Sequence, residues 1–149
     1  MPRKLGDDVQ QVIHILKQRG TLKGWDFIAI DNKNEQEVAQ IMKESVIFLS
    51  FSHREGFGLP PAEAMACGCY VIGYHGEGGK EFFHSDFSTS IDNGDIIGFV
   101  KKTEEIIHLY EKKPQEILQK GKKASEFILN GYSCDNEEYS VINVWKEII

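Results

Sequence analysis

The sequence predicts an α/β domain: a Rossmann-like, doubly wound parallel sheet flanked by helices. Three observations point there. β-prone runs alternate with segments of helical periodicity, the order that lays parallel strands side by side through helical crossovers. One of those runs, Val46 to Ser50, is close to continuously apolar, as expected of a strand covered on both sides, and Tyr70 to Tyr74 is the next. Between them lies a glycine-rich turn that opens a helix, a usual ligand position at the carboxyl edge of such a sheet.

The elements follow in order. Residues 9–17 place Val12, Ile13 and Leu16 at helical spacing, and Arg19-Gly20 ends that helix. Trp25 to Ile30 is a short β-prone run closed by Asp31-Asn32 and reads as a strand. Asn34 caps a second helix with Val38, Ile41 and Met42 on one face. After the strand at 46–50 and the turn Glu55-Gly56-Phe57-Gly58-Leu59, Pro60-Pro61 opens a helix that runs through Ala66 and stops near Gly68. The strand at 70–74 leads into a loop over 76–79, a short helix over 80–84 and a last strand over 88–91. Helical patterning then covers 95–112, 114–130 and 135–148. A doubly wound sheet normally begins with a central strand before its first helix. Only Met1 to Lys4 precede this one, so the first strand is expected to be short or missing, and the chain reads as part of a longer protein. Residues 1–149 are expected to form one domain, with 133–149 as its terminal helix.

A length of 149 residues suits one domain with a substantial core. The net charge of −6 and the absence of a long Lys/Arg block argue against general nucleic-acid binding, which needs a basic face. Cys67, Cys69 and Cys134 are odd in number and lack a second pair at zinc spacing, so they read as reduced, small apolar residues. No apolar run approaches the roughly 20 residues of a membrane span, and no signal peptide opens the chain; the expected location is cytoplasmic.

The chemistry concentrates between Glu55 and Gly68. Unpaired N–H groups and the dipole of the helix that starts there favour a phosphate or a sugar hydroxyl. Gly56 and Gly58 let the backbone approach a ligand closely. Glu63, read as lying in the first helical turn, could accept hydrogen bonds from both hydroxyls of a ribose. Equally, it could simply complement the helix dipole, a contribution of about 0.3–1 kcal/mol.

This stretch resembles the signature of the family-4 retaining glycosyltransferases of the two-domain GT-B fold: a glutamate, Gly-Phe-Gly-Leu-Pro, a second glutamate after seven intervening residues, then Ala-Met-Ala-x-Gly. Glu55 and Glu63 have that spacing. Gly78-Gly79-Lys80-Glu81 is similar to the family's Gly-Gly-x-Glu turn, and Asn93-Gly94-Asp95 and Tyr132-Ser133 are similar to its closing segments. The resemblance implies that the chain is the C-terminal, donor-binding half of such an enzyme. It also implies transfer of a sugar from a nucleotide diphosphate sugar with retention, and no cofactor beyond that donor substrate. Glu55 would hydrogen-bond donor-sugar hydroxyls and stabilise the transition state without acting as a covalent nucleophile. Gly56, Phe57, Gly58 and Leu59 would offer backbone N–H groups to the sugar and diphosphate, and Glu63 would hold the ribose. Gly78 and Gly79 would line the donor cleft; Glu81 would contact the donor or serve as a surface glutamate at a helix start.

No Asp-x-Asp occurs, so no metal site is expected, and helix N-termini and basic side chains must meet the leaving-group charge. Arg3 matches one of two cations that the family places early in this domain. Where the second, a Lys, would fall, this chain has Asp7-Asp8, and carboxylates there repel a diphosphate unless they turn away. Arg54 and Lys80 could compensate, and each reads equally as a solvated surface charge. The acceptor-binding N-terminal domain, an expected partner, is missing, so the isolated chain is expected to be inactive. Two other readings differ in class. One is a module that binds a nucleotide or a partner without turnover. The other is a glycosidase with Glu55 and Glu63 as its paired carboxylates, which nothing else in the sequence supports. Val141, Ile142, Val144, Trp145, Ile148 and Ile149 make an apolar set on the terminal helix; covering it in a homodimer and packing it into the domain core are both consistent with that set.

Overall fold

The computed structural model describes residues 6–53 and 59–132. Within them α1 (Asp7–Gln18), α2 (Glu35–Glu44), β1 (Ile47–Ser52), α3 (Leu59–Ala66), β2 (Tyr70–His75), β3 (Ser88–Ser90), α4 (Ile96–Lys112) and α5 (Pro114–Gly131) follow one another. The three strands form one parallel sheet in the order β1-β2-β3. Register runs from Ile47 opposite Tyr70 to Ser52 opposite His75, and Val71 lies opposite Ser88. The α/β class with helices on both faces of a parallel sheet is therefore as expected.

The strand period of two sorts the core into two layers. Tyr70, Ile72 and Tyr74 point to one face and pack with Val12, Ile13 and Leu16 of α1 and Phe99 and Val100 of α4. Val71 points to the other, among Met42 of α2, Ala62, Ala64 and Met65 of α3, and Ala124 and Ile128 of α5. β2 is buried along almost its whole length, whereas β1, expected to be covered on both sides, is buried only at Ser50 and half-buried elsewhere.

Local chemistry sets the helix ends. Asn34 Oδ1 accepts from Glu37 N, and Asn34 N donates to Glu37 Oε2, each at 2.9 Å, a reciprocal cap that starts α2. Asp95 Oδ1 accepts from Gly98 N at 2.8 Å and starts α4. Pro114 opens α5, where its missing N–H leaves no donor orphaned. Two glycines permit contacts that no larger residue allows. A Cβ on Gly73, whose φ is 140°, would meet the Ser50 carbonyl oxygen at 2.0 Å. One on Gly121 would meet the Gly68 carbonyl oxygen at the same distance, which is how closely α5 rests on the turn between α3 and β2.

Three local expectations need correction. Trp25 to Ile30 is not a strand: it belongs to no ladder, and Phe27, Ile28 and Ile30 are exposed. Apolar cavities of about 370 and 290 Å³ lie between it, α2 and β1. β propensity becomes a strand only where a neighbour offers its backbone groups, and no described strand does so here. The short helix expected over 80–84 is a 3-10 turn over Glu77–Glu81, because backbone bonds from Gly79 N to Gly76 O and from Phe82 N to Gly79 O tighten the chain earlier. Finally, α3 begins at Leu59, which places Glu63 a full turn inside the helix and beyond the first-turn position read from the prolines. The terminal helix and its apolar set lie outside the described residues.

Candidate functional site

In a parallel sheet the strand ends and helix beginnings gather at the carboxyl edge. Here that edge collects the first turn of α1, His53 after β1, the start of α3, Tyr74 and His75 of β2, the glycines at 76–79, and Asn93 to Asp95.

At its centre is Tyr74. Its ring is fully buried against Phe99 (5.5 Å, edge-on) and Phe51 (6.0 Å, edge-on), and Phe51 stacks on Phe99 at 4.5 Å. The hydroxyl at the end of that ring donates to Asp8 Oδ2 at 2.9 Å. His53 Nε2 stands 3.3 Å from the same oxygen, and the imidazole lies 4.9 Å from the Tyr74 ring. Burial, then the hydrogen bond and charge of Asp8, push the Tyr74 phenol up to about 12 against the opposing Gly94 N–H. Asn93 Nδ2 approaches the His53 carbonyl at 3.5 Å. Asp8 thus turns toward a tyrosine and a histidine.

The residues singled out in the sequence are distributed as follows. Glu55, Gly56, Phe57, Gly58, Arg3 and Arg54 lie outside the described residues. Leu59, the first residue of α3, is 60% exposed. Glu63 occupies the solvent side of α3, whose other side buries Pro61, Ala62, Ala64 and Met65. Gly78 is half-buried. Gly79 is buried, and a Cβ there would sit 3.3 Å from that of His75 and 3.4 Å from the Phe83 ring, so its small size serves packing of the turn. Glu81 is exposed and accepts from the Tyr132 hydroxyl at 3.4 Å. Lys80 pairs with Glu77 at 2.8 Å within the same turn, an exposed pair of small energetic consequence.

Cys67 and Cys69 are free thiols. Cys69 is buried with its Sγ donating to the carbonyls of Met42 (3.1 Å) and Ser45 (3.3 Å), and burial pushes its thiol up to about 12. That is an unreactive packing residue, as expected from its sequence. Cys67 is also raised, by burial first, with Lys43 opposing and Glu63 reinforcing the shift. Among the described residues, no group of three or more His, Cys, Asp or Glu side chains is placed to share a metal ion, and no helix is long and apolar enough to cross a membrane. The apolar cavities beside β1 are lined chiefly by Leu, Ile, Val, Phe and Trp side chains, a lining that suits side chains better than a diphosphate.

Sequence reasoning missed the joining of His53 and Tyr74 to Asp8. The signal was partly present: His53 immediately follows β1 and Tyr74 lies one residue before the end of β2, positions that a parallel register brings to the same edge.

The profile of the family described as glycosyl transferases group 1 matches residues 5–124. An alpha-1,6-glucosyltransferase of Actinobacillus pleuropneumoniae serotype 7 (strain AP76) is 49% identical over 51 residues. That match spans 34% of this chain and 16% of the relative, so only a small part of the relative's length is represented.

Proposed function

Because the chain belongs to the glycosyl transferases group 1 family, we propose that it supplies the donor-binding half of a retaining glycosyltransferase using a nucleotide diphosphate sugar. One observation carries the reading: the sequence that joins β1 to α3 holds the signature Glu55-Gly56-Phe57-Gly58-Leu59-Pro60, with Glu63 at its family spacing, and β1 belongs to a parallel sheet. Crevices at the carboxyl edge are where doubly wound sheets take nucleotides. Glu55 orients the donor sugar through its hydroxyls. The backbone N–H groups of Gly56, Phe57, Gly58 and Leu59 meet the sugar and diphosphate. Glu63 accepts from the ribose, and its exposure on α3 leaves it open to ligand. Gly78, Gly79 and Glu81 border the cleft, and Arg3 neutralises part of the diphosphate. Transfer proceeds without a metal, the departing phosphate taking the acceptor's proton as the new bond forms on the same face.

Catalysis in this reading needs an acceptor domain as partner. The isolated chain binds donor without transferring sugar, acts in the cytoplasm, and uses the apolar side of its terminal helix to pair with that domain or with a second copy. The name of the relative favours a glucosyl donor. Titration with UDP- and GDP-sugars, followed by an assay for sugar release or transfer, tests this. Saturable binding lost in Glu55→Ala and Glu63→Ala supports it. Absence of nucleotide-sugar binding overturns it, and efficient transfer by the chain alone contradicts the need for a second domain.

A further inference from the structure

From the carboxylate held between Tyr74 and His53, we propose that these two side chains form an anion-binding pair which Asp8 occupies in the free chain and a diphosphate takes over. The geometry is that of a receptor already filled. Two side chains, Tyr74 in β2 and His53 just after β1, converge on one oxygen, Asp8 Oδ2, at 2.9 and 3.3 Å. The Tyr74 hydroxyl cannot swing away, because its ring is locked between Phe51 and Phe99. His53, by contrast, is more than half exposed and Asp8 about a quarter, so the carboxylate can leave without unpacking the core. Asp8 sits in the first turn of α1 and does not cap it; the N-cap, Gly6, makes no side-chain hydrogen bond. Its departure therefore costs the helix no cap, and the start of α1 would face the incoming anion with a favourable dipole.

The charges around the pair set its selectivity. The negative charge of Asp95 reaches the Tyr74 phenol, though that carboxylate is engaged at the start of α4. The Gly94 N–H acts on the same phenol in the opposite sense. With Asp8 in place, a second anion meets like charge at contact distance, so the free chain resists phosphate. Asp8 is thus a built-in competitor, standing where the sequence comparison expected a cation. This deepens the donor-site reading and rests on it only for naming the diphosphate as part of a sugar donor.

The test is calorimetric titration of the whole chain with inorganic pyrophosphate, UDP and uridine. Asp8→Ala removes the competitor, and Asp8→Asn removes its charge while keeping an acceptor for Tyr74, which guards against a folding defect in the first. Both should bind pyrophosphate and UDP about tenfold tighter than wild type, the effect of deleting one partly screened like charge. Adding Tyr74→Phe or His53→Gln to Asp8→Ala should return affinity to the wild-type level, and uridine should not respond. Pyrophosphate binding equal to or weaker than wild type in both Asp8 variants overturns the proposal. If UDP-sugars bind wild type but ignore Asp8, the donor reading stands and this inference fails. If pyrophosphate and UDP bind Asp8→Ala tighter than wild type while no nucleotide sugar binds any form, the anion pair stands and the donor reading fails.

Discussion

Replacing Gly121 with alanine tests how α5 is held against the layer that carries α3. Gly121 lies inside an 18-residue helix, where alanine is intrinsically better by about 1 kcal/mol. Its surroundings oppose the change. A Cβ would stand 2.0 Å from the Gly68 carbonyl oxygen and 3.1 Å from its carbon, against the roughly 3.3 Å that a close carbon–oxygen contact needs. Because the obstacle is backbone, α5 must move by about 1 Å, lengthening the Ser125 Oγ to Ala66 O bond now at 2.7 Å. Overpacking of this kind costs about 1–3 kcal/mol, and a displacement against main chain belongs at the upper end. Net of propensity the loss is about 2 kcal/mol, or roughly 4–8 °C in Tm for a domain of this size. Gly131→Ala is the control: it is the last residue of the same helix and has nothing within 4 Å of the added carbon. Thermal unfolding followed at 222 nm should show Gly121→Ala well below both wild type and Gly131→Ala. A Gly121→Ala protein that melts at or above the control refutes the close-approach argument.

Asn34→Ala should lower stability by about 1 kcal/mol by removing the reciprocal cap of α2, read as a Tm loss of about 2–4 °C; no loss would mean the cap is dispensable. Tyr74 and Cys69 both titrate near 12 in the fold, above their unfolded values of about 10 and 8.5. Raised values of this kind give stability that is complete below the unfolded pKa and lost as pH rises through the folded one. Denaturant midpoints should therefore fall between about pH 9 and 12, with a shallower fall in Tyr74→Phe; an unchanged slope in that variant contradicts the late ionisation of Tyr74. Donor binding, measured calorimetrically, should be indifferent to EDTA, and a chelator-sensitive affinity would reintroduce a metal.

The legible part of the fold was the part whose signal is local. Asn34 with Glu37, Pro114, the β2 run and the periodicity of α4 each specify their element through neighbours in sequence. Trp25 to Ile30 misled because β propensity says nothing about whether a partner strand is present. Gly121 carries no local signal of its role, which depends on Gly68, distant in the chain. The site divides in the same way. Glu55 to Glu63 announced itself as a motif, whereas Asp8, His53 and Tyr74 come together only through the β1–β2 register and the packing of α1. Asp8 looked like an obstacle to a diphosphate in the sequence, and only the fold reveals which donors hold it.

Ribose recognition by Glu63 is the most exposed claim, because a solvated surface charge would account equally well for an exposed glutamate on α3. A thermodynamic cycle separates the two: UDP and its 2′,3′-dideoxy analogue are each titrated into wild type and Glu63→Ala. The account predicts that wild type prefers UDP clearly over the analogue and that Glu63→Ala binds both alike. Equal discrimination between the two ligands in both proteins would contradict it.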